Sequence, residues 1–356
     1  MPSDFQHRFA RARQRKRSGW RWLLVLIAAA AVTWIWWRHE YPKKMVHPPK
    51  IAVTARAKPL IIAHQSPGDF PRPVRDVLEA QIALARRAIS PGSIDAALGS
   101  QTRKALSVFQ EFQNLSQTGL LDTNTRARLT LDAPLLTTYT VTTNDLARLQ
   151  PLGKTWLAKS QQPALDYETE LELVAEKSHS HPELIRWLNP GVNWTNIAPG
   201  TVLKIPDVEY PTSADKAAFV VIRLADKFLE AFDAQTNLMA HFPCSIAANV
   251  EKRPVGELHV VVIAPKNPNY TFHPELFPES PEAKTLDHEL ILPPGPNNPI
   301  GVAWIGLDKT GYGIHGTPVP EQVGRTESHG CFRLANWDAE YLSRLVWMGM
   351  PVLVEP

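Results

Sequence analysis

The sequence predicts a multidomain α+β protein: a small three-helix domain, a βααβ domain and a mostly β C-terminal domain. Three observations predict it. A 3.6-residue apolar period runs through "GSQTRKALSVFQEFQ", two short helical patterns stand between strand-like ends in residues 139–206, and from residue 217 the pattern turns to short β-rich runs between turn residues. The length of 356 residues suits two or three domains, and 32 prolines against 18 glycines fit several linkers or stiff loops.

The composition is globular, with 44% hydrophobic and 21% charged residues. The net charge of +3 is unevenly placed. Residues 1–21 carry Arg8, Arg11, Arg13, Arg15, Lys16, Arg17 and Arg21 against Asp4 alone, a balance of +6, so the remainder is near −3. Basicity confined to one terminal block argues against nucleic acid as a partner. That block precedes "WRWLLVLIAAAAVTWIWW", residues 20–37, an uncharged apolar run from Leu23 to Val32 flanked by tryptophans. Tryptophans favour the membrane–water interface and Arg/Lys excess stays cytoplasmic. The expectation is a basic cytoplasmic tail over 1–21 and an uncleaved anchor over 22–37. This would make a single-pass inner-membrane protein with everything after residue 38 outside. Residues 38–72, polar and proline-punctuated, read as a linker.

Residues 73–131 are helical in pattern. Ala105, Leu106, Phe109 and Phe112 fall on one helical face, and Ser100 is placed to cap its start. Ile94-Asp95, Gly99, Thr102, Ala105, Phe109-Gln110, Gly119 and Leu121-Asp122 together resemble the small three-helix peptidoglycan-binding domain, with Ala96 standing where that family usually has glycine. Residues 139–206 open on "YTV" and close on "YETELELVAEKSHSHPELIRWLNPGVNWTNIAPGTVLKIP". Leu171, Val174, Leu184, Ile185 and Leu188 suit two short helices, Pro182 the second helix's first turn, and Val202–Ile205 a closing strand. The string resembles a LysM domain, a βααβ unit that binds glycan strands, but with a long insert at about 144–166. Residues 206–216, "PDVEYPTSADK", read as a linker.

In the C-terminal region, 217–356, "FVVIR", "KFLEAF", "LMAHFPCSI" and "HVVVIA" read as strands, and a late helix follows Asn336, a good cap. Two cysteines are present. Cys331, in "ESHGCFRL", has four readings on its own residues: a nucleophile, a zinc ligand with His315 and His329, half of a disulfide with Cys244, or a buried small hydrophobe. A nucleophilic thiol needs a favoured thiolate, a base and donors for an oxyanion. Arg333 supplies fixed charge, His315 and His329 are candidate bases, and Gly330 permits a tight backbone path. In strand geometry His329 and Cys331 share a face. Cys244 reads as a buried strand residue, and His241, His273 and His288 as surface or structural groups.

His315-Gly316-Thr317, Gly324 nine residues after the histidine, and Ser328-His329-Gly330-Cys331-Phe332-Arg333 resemble the signature of the L,D-transpeptidase (YkuD-like) catalytic domain. "LPPGPNNPIGVAWIGL" and "RPVGELHV" upstream resemble that family too. The resemblance implies a mostly β catalytic domain acting on peptidoglycan stem peptides. Cys331 attacks the carbonyl before a terminal D-alanine, leaving a thioester that an amine resolves as a 3→3 cross-link or protein attachment. His315 becomes the general base and proton donor/acceptor, oriented by Gly316 and Thr317, with His329 supporting because some relatives carry lysine there. The Gly330 and Cys331 amides become oxyanion donors. Arg333 anchors a substrate carboxylate or tunes the thiolate, with Ser328 and Tyr312 as neighbouring substrate contacts. No metal or organic cofactor is implied. Expected partners are stem peptides, glycan strands and the inner membrane. A hydrolase on the same acyl-enzyme path and a non-catalytic wall-binding anchor remain open alternatives.

Overall fold

The computed structural model describes residues 69–264, 266–277, 279–326, 328 and 330–356. The expected tail, the anchor over 22–37 and nearly all of the 38–72 linker lie outside the described residues. Among the described residues no helix is long and apolar enough to cross a membrane. The expectation of a single-pass inner-membrane protein is corrected accordingly.

Two short strands, β1 (Arg72–Pro73) and β2 (Thr130–Leu131), pair antiparallel around three helices, α1 (Val77–Ala85), α2 (Ser100–Phe112) and α3 (Thr123–Arg128). Asp76 and Asp122 cap α1 and α3 by accepting from the Glu79 and Thr125 amides. Ser100 is not a cap. It is already helical, and Gly99 holds the N-cap position without a side-chain bond. Leu84, Ile82, Leu106 and Leu129 form the centre of this core. Phe112, expected on the buried face, is 40% exposed because it is the last helical residue.

Two buried glutamines tie down the loops. The Gln81 side chain donates to Asp95 Oδ1 and Thr102 Oγ1 and accepts from the Ala96 amide, at 2.8, 2.9 and 2.8 Å. Gln110 does the same around Thr118, Gly119 and Thr125. Ala96 has φ +62°, the left-handed region where a Cβ is costly, which accounts for the glycine expected there.

The second module pairs β3 (Leu136–Thr140) antiparallel with β4 (Val202–Pro206). Between them lie α4 (Thr143–Ala147), α5 (Trp156–Ser160), α6 (Glu170–Lys177) and α7 (Pro182–Leu188). Thr142, Thr155 and Thr169 cap the first three, and Pro182 opens the fourth. Leu173, Val174, Ile185 and Leu203 bury its core. The insert does not stay within the module. Trp156 of α5 stacks on Phe272 at 4.3 Å, and both α5 N-terminal amides, of Trp156 and Leu157, donate to the Glu282 carboxylate at 2.8 Å.

The third region holds β5 (Phe219–Arg223), β6 (Phe228–Phe232), β7 (Leu238–Pro243), β8 (Gly256–Ala264), β9 (Tyr270–Phe272), β10 (Leu290–Leu292), β11 (Trp304–Leu307), β12 (Gly313–His315), β13 (Phe332–Arg333), α8 (Asn336–Leu345) and β14 (Pro351–Glu355). Eight strands form one sheet in the order β13-β12-β11-β8-β14-β5-β6-β7, and β9 and β10 form a separate pair. Val220, Ile222, Val352 and Val354 alternate into the core, each worth about 1.5–3 kcal/mol when fully buried. The sheet curls until its two edges meet. Ser245, just past β7, exchanges both backbone hydrogen bonds with Arg333 of β13 at 2.9 Å, and Ala247 bridges to Ser328. Asn336 is not the helix cap but the first residue of α8, because its side chain is committed elsewhere; Ala335 holds the cap position.

Candidate active site

The sheet brings the two halves of the motif together. β12 pairs antiparallel with β11 and parallel with β13, setting His315 beside Trp304 on one side and Arg333 on the other. Cys331 immediately precedes β13. The thiol is partly exposed, its Sγ lies 3.4 Å from the Gly311 carbonyl, and the Gly313 amide also reaches it. Burial pushes the Cys331 thiol up, and the Gly313 amide and then the Arg333 charge oppose that.

His315 is buried, and its ring stacks on Trp304 with centroids 5.6 Å apart. Its Nδ1 sits 2.6 Å from the Gly316 carbonyl oxygen. A carbonyl only accepts, so Nδ1 carries the hydrogen and Nε2 keeps its lone pair. Burial first, then the Arg333 charge, hold the imidazole down at about 3, so it is neutral at physiological pH. At physiological pH Cys331 is therefore a neutral thiol and His315 a neutral imidazole.

The Gly316 carbonyl holds the His315 ring, and position 316 must be glycine. A Cβ there would lie 2.2 Å from Asn336 Oδ1. Thr317 acts through its backbone, its amide donating to Asn336 Oδ1 at 3.0 Å, while its hydroxyl accepts from Val319. Ser328 is a loop brace rather than an exposed substrate contact. It is buried, and its hydroxyl donates to the Cys331 carbonyl at 2.5 Å. The Gly330 amide is directed at Ser328 Oγ at 3.3 Å. Tyr312 is half-buried and donates its hydroxyl to the Lys252 carbonyl at 3.0 Å. His329 lies outside the described residues. Gly324 has φ +71°, and its amide donates to Ser245 Oγ at 2.8 Å, so the motif's glycine serves the turn that enters the loop.

Three participants have no sequence signal. Tyr270, on β9, is pushed up to about 12 by burial and by the Cys331 charge, with Arg333 opposing, so its phenol stays protonated. Asn336 also accepts from Val302 and donates to the Pro296 carbonyl and to Glu176 of α6, the last at 3.0 Å. Glu176 is pushed up to about 8 by burial. These roles arise from contacts 34 to 160 residues apart in sequence.

Cys244 is fully buried with its thiol pushed up, and both cysteines are free. His241 is buried against Glu230 at 3.2 Å, structural rather than surface. Among the described residues, the group able to hold a metal is His273, Glu275 and Glu289, on and beside the β9–β10 pair, not the His315–Cys331 set. These are solvent-facing groups in which His273 already pairs with Glu289 at 2.8 Å. A cavity of about 310 Å³ opens beside the motif, bounded by Arg333 and Thr317 from the catalytic region and by Trp156 and Lys159 from α5.

Residues 217–354 match the family described as "L,D-transpeptidase catalytic domain". The chain carries an L,D-transpeptidase catalytic domain. Residues 74–129 match the "Putative peptidoglycan binding domain" family. The Bacillus licheniformis protein named "Putative L,D-transpeptidase YkuD" is 25% identical over 186 residues, covering 52% of this chain and 93% of that one. "Probable L,D-transpeptidase YbiS" of Escherichia coli is 30% identical over 165 residues, covering 46% of this chain and 53% of that one. Against the latter the chain spans about half the relative's length. A crystal structure of L,D-transpeptidase 3 from Mycobacterium tuberculosis with a faropenem-derived adduct is 17% identical, with a TM-score of 0.32 over 45% of this chain and 76% of that one. This L,D-transpeptidase domain is an enzyme domain of mixed fold with a helical peptidoglycan-binding region before it.

Proposed function

We propose that the protein is a peptidoglycan L,D-transpeptidase working through a Cys331 thioester. The observation that carries this is the Nδ1–Gly316 hydrogen bond, which leaves His315 Nε2 as a proton acceptor on the strand paired with the nucleophile's own. Sγ–H gives its proton to Nε2 as sulfur adds to the carbonyl carbon between the third stem residue and D-alanine. The C–N bond then breaks, His315 returns the proton to the leaving amine, and D-alanine departs. An acceptor amine attacks the thioester, loses a proton to His315 and releases the thiol. Tyr270, its phenol protonated, is a donor for the developing oxyanion, and Arg333 holds negative charge near the thiol. The two N-terminal modules bring the domain to the wall, the first on peptidoglycan and the second, LysM-like, on glycan strands.

Mass spectrometry of products from a defined tetrapeptide muropeptide tests this. Wild type is expected to gain the acyl mass and release D-alanine, and Cys331→Ser to do neither. Dimers in the presence of an amine acceptor mark transfer; D-alanine loss alone marks the hydrolytic alternative. Turnover by Cys331→Ser sinks the assignment.

A further inference from the structure

The cavity beside Arg333 has walls from two regions of the chain. From the catalytic region come Arg333, Thr317, Gln322 and Thr326; from the insert come Trp156 and Lys159. The insert is fixed in place. Its α5 is capped at one end by Glu282, and Leu165 further along exchanges backbone hydrogen bonds with Pro294 and Asn297 at 2.9 Å. Gly295 makes that approach possible, since a Cβ would lie 2.1 Å from the Leu165 carbonyl oxygen. Lys159 is therefore presented by the catalytic region's own scaffold, not by a loose arm.

Lys159 is half-buried, its ammonium 5.7 Å from the centre of the Trp156 ring, and it has no ion-pair partner among the described residues. Its stem is packed, which lowers the entropy lost on meeting an anion. Beyond it lies a second cavity, of about 400 Å³, lined by Glu168, Glu172, Glu176 and Glu321. Lys159 thus separates an acidic space from one whose charged lining residues are two cations, itself and Arg333.

We propose that Lys159 is a specificity-determining residue which, with Arg333, binds a carboxylate of an acidic peptide substrate. The insert of the second module is then part of the substrate cleft. This rests on the peptide-acting reading above, and the test separates the two. Binding is measured by calorimetry on full-length Cys331→Ser protein, so that no turnover is needed, using a stem tetrapeptide with free carboxylates and the same peptide fully amidated. Lys159→Ala is expected to raise Kd for the acid about tenfold and to change Kd for the amide less than twofold, with Lys159→Arg restoring the acid's affinity. Equal effects on acid and amide, or none on either, overturn the proposal. If wild type fails to release D-alanine while this pattern holds, the reaction is wrong and the subsite stands. Circular dichroism and thermal melting of each variant exclude unfolding as the cause of a raised Kd.

Discussion

The two N-terminal modules meet the catalytic region in different ways. The three-helix module spends its two buried glutamines on its own loops. It reaches the third region through backbone, with His241 exchanging hydrogen bonds with Ala88 and Ser90 at 2.8 Å. It also does so through the side chains of Ser90, Gln101 and Lys104, which meet Asp338, the Val323 carbonyl and Asp226. The second module sends its polar chemistry outward. Glu176 is held by Asn336 of α8, Glu172 by Asn297, and the insert helix α5 by Glu282. One module is docked on the domain, while the other completes it. A family boundary drawn along the sequence does not mark where a site ends.

Three substitutions would break or sharpen that contrast. The largest effect is expected at the junction. Asn336→Ala strips acceptors from the buried Thr317 and Val302 amides and a donor from Glu176, so denaturation should show a loss of about 4 kcal/mol. Because Thr317 and Gly316 lose their brace, kcat should also fall about 100-fold. An unchanged kcat would mean that the junction is merely structural.

The second tests the charge state of the junction. Burial raises the Glu176 carboxyl from 4.5 to about 8. A raised folded pKa means that the contribution is intact below the unfolded value and is lost as pH rises towards and through the folded one. Glu176→Gln should match wild type near pH 4 and exceed it by about 3 kcal/mol at pH 7 in urea denaturation. Parallel stability curves would contradict a buried neutral acid.

The smallest lies inside the first module. Ala96→Gly relieves a left-handed backbone and should raise stability by roughly 0.5–1 kcal/mol, with kcat and KM unmoved. A kinetic change there would erase the contrast between the modules.

What was legible in the sequence followed distance along the chain. Apolar periodicity gave α2, α6 and α7, and the strand runs at 219–223 and 228–232 appear as β5 and β6. The spacing from His315 to Cys331 was legible through the resemblance to the L,D-transpeptidase signature, and the parallel pairing of β12 with β13 sets His315 opposite Arg333. Caps failed where a polar residue had a better partner: Asn336 serves Thr317 and Glu176 rather than its own helix. Tyr270, Glu176 and Lys159 sit in stretches with no motif, and only tertiary packing shows what they face. Ser328 and Gly330 are expected as site residues from the motif, but the hydrogen bonds they make are not encoded by spacing.

The meeting of β13 with the chain just past β7 has one more consequence. An open sheet presents two rows of backbone donors and acceptors that can recruit a strand from another molecule. Here those rows are turned on each other at Ser245 and Arg333, and the Cys331 sulfur sits beside the seam they form. The stretch of backbone that guards this chain against edge-to-edge aggregation is therefore the one that carries the proposed nucleophile. Loosening the loop to widen substrate access would expose a strand edge as well as a thiol.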